Sequence, residues 1–191
     1  MIRNLLFLSV IVLGLNTLYV NASETIWHVK AIQTDGKTLD IKAFDKKGMV
    51  FDVKAIQEDS NMWIIDVKAI IDGKKVPVKI LVSDDKYAPV KAIGSDGTIF
   101  DIKAIAPNGD KLDVKGVDQT GNIHAIKVVG PKEQFYSVKA ISPMGEVYDI
   151  KGIKITDKEI ESLINGIPIH AHVKALPPVH GLVVFEREHS F

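Results

Sequence analysis

The stretch Phe100-Asp101-Ile102-Lys103-Ala104-Ile105-Ala106-Pro107-Asn108-Gly109 decides the fold, because near-copies of it recur from Trp27 to Ile155. Lysines stand at 30, 42, 54, 68, 79, 91, 103, 115, 127, 139 and 151, a spacing of twelve broken by one fourteen and one eleven. Such a period marks a tandem-repeat architecture built from one short unit. In an extended chain successive side chains point to opposite faces, so Phe100, Ile102 and Ala104 share one face and Asp101 and Lys103 the other. The same division holds in Phe51-Asp52-Val53-Lys54, Leu112-Asp113-Val114-Lys115 and Tyr148-Asp149-Ile150-Lys151. Each unit is therefore one half-buried strand, rich in β-branched residues.

Between the strands lie Thr34-Asp35-Gly36, Lys46-Lys47-Gly48, Ser95-Asp96-Gly97, Pro107-Asn108-Gly109, Gln119-Thr120-Gly121 and Pro143-Met144-Gly145, with glycine third in each. This fits a type I turn closed by a left-handed glycine in a bulge, the common three-residue hairpin connection. Centring the loop on Asp96 sets Lys91 opposite Asp101 and Ala92 opposite Phe100. The next hairpin sets Lys103 opposite Asp113 and Asp101 opposite Lys115. Every lysine then meets an aspartate, and every bulky apolar group a small one. A parallel solenoid would instead stack lysine on lysine, and like charges directly opposite destabilise. The expected fold is therefore all-β, an antiparallel meander of about 11–13 short strands. An apolar face of that extent must curl into a barrel or half-barrel, or fold into two packed layers. Pro77 and Pro89 replace the aspartate and mark edges, bulges or a corner, since proline cannot donate to a ladder. Irregular spacing around Ser60-Asn61-Met62-Trp63 and Ile71-Asp72-Gly73 is where the register is expected to shift.

The chain begins Met1-Ile2-Arg3-Asn4, followed by an apolar run from Leu5 to Leu15 and Val20-Asn21-Ala22 before Ser23. This reads as a secretory signal peptide over residues 1–22, its apolar core shorter than the roughly 18 residues of a spanning helix. Residues 23–191 then form one domain: strand units over 25–155, one helix over 156–166 and terminal strands over 167–191. The helix is expected from the capping-box pattern Thr156-Asp157-Lys158-Glu159, from Ile160, Leu163 and Ile164 at helical spacing, and from Asn165-Gly166 as a stop. The last strand is placed at Leu182-Val183-Val184-Phe185.

Composition excludes several classes. Net charge is zero with both signs spread evenly, so nothing attracts a polyanion and no nucleic-acid partner is expected. No cysteine is present, which removes disulfides and lipid-modified cysteines. Strands of about seven residues tilted near 45° would span roughly 17 Å of an apolar band about 25 Å tall, too little for an outer-membrane barrel. No nucleophile with a base, no carboxylate pair outside the periodic units and no phosphate-cradling loop appears, so no catalytic residue is assigned. His170 and His172 alternate on a strand and project from one face, with His180 following, which makes these three the candidate ligands for zinc or copper. The plainer reading is that His172 takes the place of the aspartate. The sequence thus leads to an exported, non-enzymatic binding or structural module, its partner a protein or polysaccharide at the cell surface. A metal-binding protein or metal-dependent enzyme is the alternative.

Overall fold

The structure, a computed structural model, describes residues 24–118 and 121–178. The segment expected to be a signal peptide, His180 and the strand expected at 182–185 lie outside these residues. Among the described residues there are thirteen strands: β1 Thr25–Ile32, β2 Thr38–Phe44, β3 Val50–Gln57, β4 Ile65–Ile71, β5 Lys74–Leu81, β6 Ala88–Ile93, β7 Ile99–Ile105, β8 Lys111–Gly116, β9 Ile123–Val129, β10 Phe135–Ile141, β11 Val147–Ile153, β12 Ser162–Ile164 and β13 Ile167–Leu176. Every pairing is antiparallel, and from β1 to β11 each strand pairs with the next, as the meander requires. The hairpins have the expected chemistry. Gly36, Gly48, Gly97, Gly109 and Gly145 all have positive φ, and each amide donates to the carbonyl three residues earlier. Lys91 faces Asp101 and Ala92 faces Phe100, while Lys103 faces Asp113.

The meander also branches. β2 pairs with β1 through residues 38–40 and with β3 through 42–44, while β7 covers residues 40–44. A strand has two edges, so β1 and β3 must share one of them, and they pair with each other as well, from Thr25↔Gln57 to His28↔Lys54. The result is a three-strand corner. Three more corners follow: β6–β7–β8, β9–β10–β11 and β4–β5–β13. Six ladders connect them, β3–β4, β2–β7, β1–β10, β5–β6, β8–β9 and β11–β13, so each corner is joined to each of the other three. Four corners joined by six edges are the connectivity of a tetrahedron. The twelve strands close into a barrel in which every one has three partners.

This closure corrects one expectation about charge. At the middle of each connecting ladder two lysines are Cα partners: Lys30↔Lys139, Lys42↔Lys103, Lys54↔Lys68, Lys79↔Lys91, Lys115↔Lys127 and Lys151↔Lys174. Lysine therefore does face lysine. An aspartate reaches only half of the twelve across the strands: Lys30–Asp40, Lys42–Asp52, Lys91–Asp101, Lys103–Asp113, Lys139–Asp149 and the long-range pair Lys174–Asp66. Lys115 meets Pro89 and not Asp101, because its hairpin stops at the Lys103–Asp113 pair. The two prolines do mark an end of pairing. They flank one connecting ladder, β5–β6, which runs over three pairs where β2–β7 runs over five.

The inner face is apolar except at His124. The residue after each lysine converges on the interior, and eight of these are alanines with no exposed surface: 31, 43, 55, 69, 92, 104, 140 and 175. Closed packing leaves no room for twelve large groups there. Ile80 is the large exception, and space for it comes from Gly116 and Gly152. A Cβ on Gly152 would stand 2.3 Å from Ile80 Cδ1, and one on Gly116 3.2 Å.

The helix expected over 156–166 is absent. Residues Ser162–Ile164 form β12, and the amide of Glu161 donates to the carbonyl of Ile169, 2.9 Å away, so the backbone is satisfied across a hairpin. Asn165 and Gly166, both at positive φ, form its two-residue turn. Asn-Gly between extended runs signals a hairpin as strongly as a helix stop, and the exposed Leu163 and Ile160 gain no core by coiling. Among the described residues no helix is long and apolar enough to cross a membrane.

Candidate functional site

The periodic strands make an almost uniform shell, so its departures are where a site stands out. Two occur. The first surrounds the segment 154–166 and strand β13. Glu161 is carried in by the β12 hairpin, with a side chain only 3% exposed, and its Oε1 lies 2.7 Å from His172 Nε2. That contact is close in distance but poorly angled, and both carboxylate oxygens lack a well-formed hydrogen bond. The other ring nitrogen of His172 contacts Lys79 Nζ. Burial, with Lys68 and Lys174 close by, lowers the Lys79 pKa to about 8, while Asp66 and Glu161 pull the other way. Burial and then Lys79 likewise lower the His172 pKa.

His170 behaves differently although it is two residues away on the same strand. The register of β13 on β5 shifts between Ile169 and Ala171, so His170 is the extra residue of a bulge, a device that re-aims a side chain. Its ring lies 4.6 Å, centroid to centroid, from that of His124 on β9. Burial, then His124, lowers the His170 pKa. His124 has no exposed surface and sits three residues before Lys127, where other strands carry Trp27, Leu39, Phe100 or Leu112. A histidine in that apolar row is visible in the sequence, and only comparison of strand with strand exposes it. His170 and His172 therefore do not converge, and among the described residues no three His, Asp or Glu side chains gather closely enough to hold one metal ion.

The second departure is the insertion Ser60–Ile64 between β3 and β4. It forms one wall of a cleft of about 320 Å³ whose floor is the Trp27–Tyr148 pair, ring centroids 4.6 Å apart. Trp63 is 73% exposed on one side and Met144 is 89% exposed on the other, with Met62 and Pro143 between. Two of its polar side chains are already engaged within the chain. Gln57 accepts from Trp27 Nε1 at 3.2 Å and donates to the carbonyls of Ser60 and Met62, while Ser142 Oγ accepts from the amides of Met144 and Glu146. An apolar side chain gains most from such a surface.

Fold and clefts together define a closed all-β protein with a groove flanked by exposed Trp63 and Met144 and a separate pocket of ionisable side chains. The chain belongs to DUF7486, a family of unknown function that matches residues 23–176. No curated protein and no solved structure matches it.

Proposed function

We propose that this protein is exported and acts outside the cytoplasm as a non-enzymatic binding module built from tandem strand units. Its groove between Trp63 and Met144 seats an apolar side chain of a protein partner. The exposure of those two residues over an aromatic floor carries the reading, because large apolar groups left in water at one place mark an interaction surface. A protein is favoured over a polysaccharide because Met144, the more exposed of the two groups, offers a sugar no hydrogen bond, and the Gln57 amide is spent within the chain. Export is supported by the charged start and apolar run of residues 1–22.

Selection from a library of apolar and aromatic peptides tests the groove. Selected peptides are expected to blue-shift Trp63 fluorescence, read against a Trp63→Phe control that reports the emission of buried Trp27 alone, and to lose at least about tenfold in affinity on Trp63→Ser or Met144→Ser. Peptides that bind both variants unchanged would contradict it. Export is checked by sequencing the secreted chain, which should begin at Ser23.

A further inference from the structure

We infer that the groove has a tethered occupant, the segment Leu182-Val183-Val184-Phe185 of this same chain, which lies outside the described residues and competes there with an outside partner. The inference rests on the groove being a seat for apolar side chains and adds the means by which access to it is limited.

The course of β13 carries the argument. At its outgoing end β13 is held between two strands: Ala175 pairs with Ile65 of β4 on one edge and with Ile150 of β11 on the other, and Leu176 pairs with Asp149. The chain enters β4 from the 60–64 insertion and β11 from the 143–146 loop, and these are the two walls of the groove. A strand leaves where its antiparallel neighbours begin, so the chain emerges from β13 between the walls. One residue before Asp149 stands Tyr148 of the floor, and two residues before Ile65 stands Trp63. Pro177 and Pro178 have no amide to donate, which ends the ladder, and proline favours an extended continuation.

The residues that follow supply the occupant. Val179-His180-Gly181 spans at most about 10 Å, so the apolar run begins beside the groove and not on a distant face. Four consecutive apolar residues are costly to leave in water. On the receiving side Met62, Trp63 and Ile64 are exposed along one wall, and Met144 and Val147 along the other. Each apolar surface covers the other. A tether this short sets a local concentration on the order of mM, comparable with the dissociation constant expected of a contact made by a few apolar side chains. The groove is then covered part of the time and open for the rest, and a partner binds with an affinity reduced by the covered fraction.

The full chain carrying both Leu182→Ser and Phe185→Ser is the test variant, and circular dichroism should find its barrel unchanged. In the wild-type chain, NOEs are expected from the Leu182 or Phe185 side chain to the Trp63 indole or the Met144 methyl. In the variant, Trp63 emission should move to the red, read against Trp63→Phe, and peptides selected on the groove should bind at least about twofold more tightly. Absence of the NOEs, or equal peptide affinity for variant and wild type, would overturn the inference. Peptides that still depended on Trp63 and Met144 would then leave the groove itself standing as a seat for a partner. NOEs with no peptide binding at all would keep the tethered occupant and contradict the outside partner. In a mixture of isotopically labelled and unlabelled chains, NOEs found only between different chains would assign the segment to a second copy and overturn the inference as well.

Discussion

Lys103 has two kinds of neighbour, Asp113 in its hairpin and Lys42 across the connecting ladder, and this pairing makes charge reversal asymmetric. Lys103→Asp gives up one attraction but puts a carboxylate opposite Lys42. Asp113→Lys adds a third cation beside Lys103 and Lys115, which now lies 3.9 Å from Asp113. Urea denaturation should find Asp113→Lys the more destabilising, with the double reversal recovering part of the loss, each step on the order of 0.2–1 kcal/mol for half-exposed pairs. Additive losses would contradict the register. Packing gives a sharper test. Gly152→Ala should cost about 1–3 kcal/mol by collision with Ile80 Cδ1, and Ile80→Val, which removes that atom, should rescue part of it. Lys79 supplies a pH signature. Its folded pKa near 8 is below the ordinary 10.5, so between those values the unfolded chain binds the extra proton and the penalty of burying this cation is relieved. Lys79→Met should therefore exceed the wild type in stability most below pH 8, by a margin that shrinks toward pH 10.5. A constant margin in thermal melts across that range would show that Lys79 stays charged.

At the level of elements, what was legible in the sequence was whatever depends on neighbours in the chain. The twelve-residue period, the inward Ile102 and Ala104, and the left-handed glycines of the tight turns follow from alternation and turn chemistry alone. The β12–β13 hairpin was misread because Ile160, Leu163 and Ile164 fit helical spacing equally well over so short a run. The deciding fact, that Glu161 bonds to Ile169, is a pairing and not a pattern. The separate surroundings of His170 and His172 were hidden for a similar reason. Alternation put them on one face, but the bulge at His170 re-aims it toward a residue 46 positions earlier, beyond reach of any local rule. Asn165 tests the hairpin directly. It combines φ of 46° with a 2.6 Å hydrogen bond from Nδ2 to the Asp96 carbonyl in the β6–β7 loop. Asn165→Gly keeps the backbone and loses only the bond, at about 0.5–1.5 kcal/mol. Asn165→Ala adds roughly 1 kcal/mol of left-handed strain and should melt lower in a thermal scan. Equal melting temperatures would place this turn outside the left-handed region.

Across the whole molecule, the corners resolve a difficulty that a simple meander cannot. With an even period and identical loops, bonded and unbonded pairs cannot alternate properly along both edges of every strand. Here no hairpin within a corner uses its full length. Its loop-proximal half pairs locally, its far half turns to another neighbour, and the second edge of the strand is left for a distant corner. No edge of the twelve-strand barrel is then left open, which removes the template for further strand addition that an open sheet presents. Stability rests on the alanine-lined interior and not on the lysine rows, where attractive and repulsive pairs largely offset one another.

Cross-strand backbone NOEs between β2 and β7 test this closure most directly. Residues 41–43 should show contacts to residues 102–104, centred on Lys42 and Lys103, together with equivalent contacts between β1 and β10 around Lys30 and Lys139. A spectrum that contains the hairpin contacts of Lys91 with Asp101 and of Lys103 with Asp113 but none between β2 and β7 would describe an open meander, and the four-cornered barrel would be wrong.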